Sequence, residues 1–164
     1  MMASRSRFII DTNVLIDLYR GEILNELFAL PYMFISPDVI LDELLEPDGN
    51  TLMNLGLQRG ELSGERVLEV EALSFHHRNI AVNDLFALVL ASSRGLPLLT
   101  GDSRLRALAL KHNVRVHGTL WILDELVAKV VIMPAKASQA LREMLDHGSR
   151  LPLAECSDRF RQWG

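Results

Sequence analysis

The order of apolar and polar positions divides the chain into short apolar runs and longer periodic segments. Residues 7–11, 33–36, 96–100 and 114–117 are runs of strand length, and residues 61–63 are a weaker fifth. Short continuous runs of this kind suit strands buried on both faces of a parallel sheet. Between them lie segments with helical spacing: 13–20, 22–30, 37–46, 51–59, 65–77, 83–94, 103–112 and 119–129, then 135–147 and 155–163 at the end. Gly21, Gly95 and Pro47-Asp48-Gly49 stop three of them, and Pro37 suits the first turn of another. Strands alternating with helices predict an α/β fold, a three-layer α/β/α sandwich around a central parallel sheet of four to five strands. The strand pattern is lost after about residue 130. The expected organisation is one unit over residues 1–130 and a helical extension over 131–164, packed on that unit or extending it.

Two strands share an ending. Asp11 closes Phe8-Ile9-Ile10 and opens Thr12-Asn13-Val14-Leu15-Ile16, and Asp102 follows Leu98-Leu99-Thr100-Gly101 and opens a helical segment. Aspartate is a favoured helix cap, which alone accounts for either residue. Their common position carries more, because parallel sheets bind ligands outside the carboxyl ends of their strands. Two further acids stand in apolar helical segments. Asp38, Asp42 and Glu46 form one stripe of the 37–46 helix, which reads as solvated. Ile40, Leu41, Leu44 and Leu45 form the buried stripe, and Glu43 sits at its boundary beside Val39 and Ile40. Asp84 opens the run Leu85-Phe86-Ala87-Leu88-Val89-Leu90-Ala91. A helix apolar all round is buried, and an acid in its first turn gains from the helix dipole. Burying a carboxylate is costly unless it is paired or holds a metal.

Composition narrows the chemistry. The chain has 164 residues, 49% of them hydrophobic, which is ample for a core. No apolar run approaches the roughly 18 residues of a membrane span. Behind the basic segment Met1–Arg7, Asp11 and Asp17 interrupt the apolar stretch, unlike a signal peptide. The single Cys156 excludes an internal disulfide and a cysteine-rich zinc site, so the cytoplasm is the expected compartment. A net charge of −4 argues against holding nucleic acid by bulk charge. It is compatible with a nuclease, whose active-site acids count against its charge until a metal arrives. There is no Gly-x-Ser-x-Gly elbow, no phosphate-binding loop and no dinucleotide fingerprint. His76-His77 are adjacent, point apart on a helix, and read as surface residues.

Asp11, Glu43, Asp84 and Asp102 together suit a hard divalent cation, Mg²⁺ or Mn²⁺, which takes oxygen ligands and assists phosphodiester hydrolysis. Asn13 and Thr100 are placed to orient them from behind. Arg104, Arg106, Lys111, His112 and Arg115 follow Asp102 and offer phosphate contacts, with Arg104 preferred; a solvated helix face explains the same cluster. Trp121 and Phe86 are candidates for base stacking, though core packing explains both better. An aspartyl-phosphate phosphatase also begins on a strand-end aspartate. That chemistry wants a second acid where Asn13 stands, and the first lysine is Lys111. A binding protein that keeps an acidic pocket without catalysis is the remaining alternative.

The segments Phe8 to Ile16, Ser36 to Leu44, Asn83-Asp84-Leu85-Phe86-Ala87 and Leu99-Thr100-Gly101-Asp102 resemble the PIN-domain family, which includes the VapC toxins of bacterial toxin–antitoxin pairs. The resemblance spans about residues 7–128 and keeps the order of all four acids. It implies a parallel-sheet α/β/α sandwich and a Mg²⁺/Mn²⁺-dependent ribonuclease, with the metal role carried by Asp11, Glu43, Asp84 and Asp102. A toxin role with a small antitoxin partner is one version of that activity. Leu105-Arg106 through Gly118-Thr119-Leu120, and the helical tail, resemble a less typical branch of the family. High hydrophobic content and apolar helices such as 85–91 lead to the expectation of a homodimer, through the sheet-flanking helices or the tail after Pro134.

Overall fold

The computed structural model describes residues 5–164, so Met1–Ser4, the start of the basic segment and of the expected first unit, lies outside the described residues. The elements run β1 (Ser6–Ile10), α1 (Thr12–Arg20), α2 (Leu24–Leu27), β2 (Tyr32–Pro37), α3 (Asp38–Glu43), α4 (Gly49–Leu55), β3 (Gln58–Gly60), α5 (Gly64–His76), α6 (Val82–Arg94), β4 (Leu98–Leu99), α7 (Ser103–Lys111), β5 (Val116–His117), α8 (Thr119–Ala128), α9 (Pro134–Asp146) and α10 (Leu153–Trp163). The five strands form one sheet in the order β3-β2-β1-β4-β5, and every pairing is parallel.

Side chains alternate across the sheet and build two cores. Phe8, Ile10, Phe34 and Leu99 face a core completed by α1, α2, α8, α9 and α10. Ile9, Ile35 and Leu98 face the other, completed by α5, α6 and α7. This is the expected three-layer sandwich. The extension is part of the first core: Ala137, Ala140, Leu141, Met144, Cys156 and Trp163 are buried there. The apolar run 85–91 of α6 packs in the second core, so its own chain covers the face that led to the expectation of a homodimer.

Local boundaries differ from expectation where packing overrides hydrophobic spacing. The third helix ends at Glu43 rather than Glu46. Leu44 is extended (φ −69°, ψ 131°), and Leu45 pairs with Asp48 in an isolated bridge and is 90% exposed, outside the buried stripe. The early exit lets α4 press on α3. A Cβ at Gly49 would stand 2.3 Å from the Leu41 carbonyl oxygen, while Asp48 caps α4 by accepting from the Thr51 amide at 2.7 Å. The edge strand lies at 58–60, not 61–63. Gly60 brings it against α6, with room for no side chain: a Cβ there would meet Leu90 at 2.6 Å. The helix expected over 22–30 is one turn, and β4 and β5 are two residues each.

Candidate active site

The chain leaves β1 for β2 on one side, and β4 lies on the other, so the sheet reverses its direction of winding between β1 and β4. A crevice opens at such a point, outside the carboxyl ends of the strands. Asp11 follows β1 and Asp102 follows β4 by three residues.

Asp11 is fully buried. Its Oδ1 accepts from the Val14 amide at 3.0 Å, capping α1, and its Oδ2 accepts from the Thr100 hydroxyl. Burial, with the charges of Asp84 and Asp17 added, pushes its pKa up to about 7 against the hydrogen bonds that oppose the shift. Thr100 also accepts the Asp102 amide at 3.2 Å, so one hydroxyl joins the two strand ends. Asp102 Oδ1 takes both the Arg104 and Leu105 amides, at 2.8 and 2.9 Å, and caps α7. Its other oxygen has no protein hydrogen bond among the described residues. Asp84 lies in the first turn of α6, is buried, and its carboxyl has no hydrogen-bond partner among the described residues. Burial and the charge of Asp102 raise its pKa to about 6. Glu43 is exposed at the end of α3, where its Oε2 accepts from Asn83 Nδ2 at 3.0 Å, one residue before Asp84. Asp42 on the neighbouring stripe pairs with Arg59 at 3.0 Å in solvent.

The capping account of Asp11 and Asp102 is thus realised, and both residues face a charged neighbourhood as well. Asp11, Asp84 and Asp102 form a chain of carboxyls in which the charge of Asp84 adds to the proton affinity of Asp11 and the charge of Asp102 adds to that of Asp84. As arranged, no three His, Cys, Asp or Glu side chains among the described residues stand close enough to share one metal ion. The donor set nonetheless fits a hard cation. It is all oxygen, one carboxyl has no hydrogen-bond partner among the described residues, and its members repel when ionised.

Several residues around the crevice carry no warning in the sequence. Asp17, within α1, is buried and accepts from the Thr119 hydroxyl at 2.8 Å. Burial raises its pKa against the hydrogen bonds of Ser149 and Thr119. Arg20 in turn donates to Ser149 at 3.3 Å. These bonds fasten the turn between α9 and α10 to α1 and α8. Gly148 and Arg150 consequently line a crevice of about 360 Å³ together with Asn13, Asp17, Arg20 and Asp102. Partners 102 and 132 residues apart leave no local pattern, which is why Asp17 reads in sequence only as a break in an apolar stretch.

Of the remaining expected residues, Asn13 lines that crevice but makes no hydrogen bond to a carboxylate among the described residues. Arg104 is exposed, and its guanidinium donates to the Asn79 carbonyl at 3.1 Å. Phe86 packs in the second core. Trp121 packs on Phe8 and Tyr32 and also stacks on His117, with ring centroids 4.3 Å apart. No helix among the described residues is long and apolar enough to cross a membrane.

A family model described as a PIN domain matches residues 7–164. The match runs through α9 and α10, beyond the resemblance over 7–128, so the extension belongs to the family's own pattern. No curated protein matches the chain. Among solved structures it is similar to a PilT N-terminus domain protein from the hyperthermophilic archaeon Sulfolobus solfataricus P2, at 12% identity and a TM-score of 0.48, covering 72% of this chain and 91% of that one.

Proposed function

The chain belongs to the PIN-domain family, and we propose that it is a Mg²⁺- or Mn²⁺-dependent endoribonuclease of the cytoplasm, cutting single-stranded or looped RNA. The observation that carries this reading is the pair of strand-end aspartates at the winding reversal, with Asp84 beside them and the proton affinities of Asp11 and Asp84 raised by burial and by a neighbouring carboxylate. Asp11, Asp84 and Asp102, with Glu43 at the rim, are the residues that would hold the ion. A bound divalent ion supplies positive charge to the phosphoryl oxygens and lowers the pKa of a water.

The chain's own groups do the rest. Thr100 fixes the orientation of Asp11 and, through the Asp102 amide, the spacing of the two strand ends. Asn83 holds Glu43 toward the first turn of α6. Near neutral pH Asp11 is shared between its protonated and ionised forms, so cation binding displaces a proton and strengthens as pH rises through about 7.

Incubation with single-stranded RNA and Mn²⁺, with an EDTA control, tests the proposal. Wild type cleaves, EDTA stops it, and Asp11→Asn, Asp84→Asn and Asp102→Asn each lose the activity. A variant cleaving at the wild-type rate removes its residue from the site. The spacing of the acids also favours a second reading, a non-catalytic PIN-like binding protein. Metal-independent binding with no cleavage by wild type would establish that one. A toxin role with a small antitoxin partner, and a homodimer, are finer versions of the first reading. Inhibition of growth on expression tests the toxin role, and light-scattering mass at micromolar concentration tests the dimer.

A further inference from the structure

A second cavity of about 350 Å³ adjoins the crevice at Asp102, lined among others by Gly101, Arg106, His117, Trp121, Arg150 and Arg159. Gly101 and Arg150 line both spaces, so the two are continuous past Asp102. The cavity lies where the edge strand β5 and the start of α8 meet the turn between α9 and α10. The Asp17–Thr119 and Arg20–Ser149 bonds hold that junction closed.

Its lining combines two chemistries. The first is cationic. Arg106 and Arg150 make no ion pair or side-chain hydrogen bond among the described residues, whereas Arg159 is paired with Asp124 at 2.7 Å and Glu155 contributes one carboxylate to the wall. The Arg106 guanidinium lies across Gly118, where a Cβ would meet it at 3.2 Å. Arg104, two residues earlier on α7, is turned the other way to Asn79. In a chain of net charge −4, two arginines on one concavity without carboxylate partners among the described residues call for an anion. The second chemistry is aromatic. His117 and Trp121 stack at 4.3 Å with ring planes 16° apart, and Trp121 is stacked in turn on Tyr32. The aromatic side chains of the first core thus end, at the cavity wall, in the half-buried His117 ring backed by Trp121. A phosphate contact beside a stacking surface is the combination that single-stranded nucleic acid uses, and the volume falls in the range of small-molecule sites.

We infer that this cavity is a nucleotide subsite, in which Arg150 and Arg106 hold a backbone phosphate and one base of a single strand lies on the His117 ring that Trp121 backs. The inference rests on the nuclease reading for its orientation, since the strand would continue into the crevice at Asp102. It assigns the extension a role that core packing alone does not require: α9 and α10 carry Arg150 to the strand. It also moves the phosphate contact from Arg104 to the opposite face of α7.

The test is fluorescence anisotropy of a labelled single-stranded hexa-adenylate with the full chain in EDTA at low salt, so that binding is read without cleavage. Arg150→Ala and His117→Ala should each weaken binding by about tenfold, and Arg94→Ala, at the far end of α6, by less than about twofold. An abasic strand of the same length should bind wild type more weakly than hexa-adenylate and should not distinguish wild type from His117→Ala, a pattern that general loss of structure does not produce. If His117→Ala fails to fold, Arg150→Ala and the abasic strand decide. No binding by wild type, equal binding of both strands, or retention of wild-type affinity by Arg150→Ala overturns the subsite. Cleavage with Mn²⁺ is measured separately. Its absence beside the expected binding pattern overturns the nuclease reading and leaves the subsite standing.

Discussion

The ends of β1 and β4 share a strand–aspartate–helix sequence and give two different carboxyls. β1 is the middle strand, flanked by β2 and β4. Asp11 is therefore sealed from water, both its oxygens are used by protein donors, and its pKa stands at about 7. β4 is two residues long and lies next to the edge strand. Asp102 is only partly buried and spends one oxygen on its helix, leaving the other without a protein hydrogen bond among the described residues. The difference teaches that local grammar places an acid at the crevice, while the neighbouring strands decide what the acid costs there. Asp11 is the member whose charge needs a counterion; Asp102 is the member with an oxygen to offer.

The largest effect should come from removing that division of labour. Asp11→Asn and Asp102→Asn should each reduce Mn²⁺-dependent RNA cleavage below detection, although only the first changes a fully buried site. Cleavage retained by one of them would leave the pair unequal in function as well as in burial.

Next in size is the pH response of the metal-free protein. Asp11 binds its proton more tightly in the folded chain than in the unfolded one. Its contribution to stability is complete below its ordinary value of 3.8 and is lost as pH rises to about 7. That interval corresponds to on the order of 4 kcal/mol. In EDTA, Asp11→Asn should therefore be more stable than wild type at pH 8, and the advantage should vanish near pH 4. Denaturant midpoints across that range read it directly. An advantage independent of pH would mean that burial does not govern Asp11.

The bridge between the two strand ends comes third. Thr100→Val removes the hydroxyl that donates to Asp11 and accepts the Asp102 amide. Loss of such a supporting bond costs about 10- to 100-fold in metal affinity. Calorimetric titration with Mn²⁺ should show that loss, and Thr100→Ser should restore most of the affinity. Unchanged affinity in Thr100→Val would show that the strand ends do not depend on one another.

How much of this was legible in the sequence follows the same divide between local and distant causes. The sandwich, the parallel sheet and the strand-end positions of Asp11 and Asp102 were legible, because runs of apolar residues and a capping aspartate are local signals. The end of α3 was not. It is set by the contact of Gly49 with Leu41 and not by the spacing of Leu44 and Leu45. The edge strand was misplaced by three residues, because Leu62 advertises hydrophobicity while Gly60 supplies the fit against α6. The roles of Asp17, Ser149 and Arg150 were not legible for a similar reason. Their meaning lies in contacts between α1, α8 and a turn near the end of the chain. Within the site, residue identities were readable, while burial, partners and the order of proton affinities required the fold.

The smallest expected effect separates capping from repulsion at Asp102. Asp102→Ala removes two amide hydrogen bonds from the start of α7, a loss of about 1 kcal/mol for a capping residue. The same substitution removes the charge that helps raise Asp84 to about 6. Near pH 5 Asp84 holds its proton, so only the lost cap is felt and the variant is less stable than wild type. At pH 8 Asp84 is ionised, and freedom from Asp102 lowers the cost of that charge, so the deficit shrinks. The two strand ends then respond to pH in the same direction for different reasons: Asp11→Asn by losing a buried charge of its own, Asp102→Ala by relieving a neighbour's. Denaturant melts in EDTA at the two pH values measure the change. A deficit equal at both would mean that Asp84 and Asp102 do not sense one another, and the chain of carboxyls from Asp11 to Asp102 would be broken at that link.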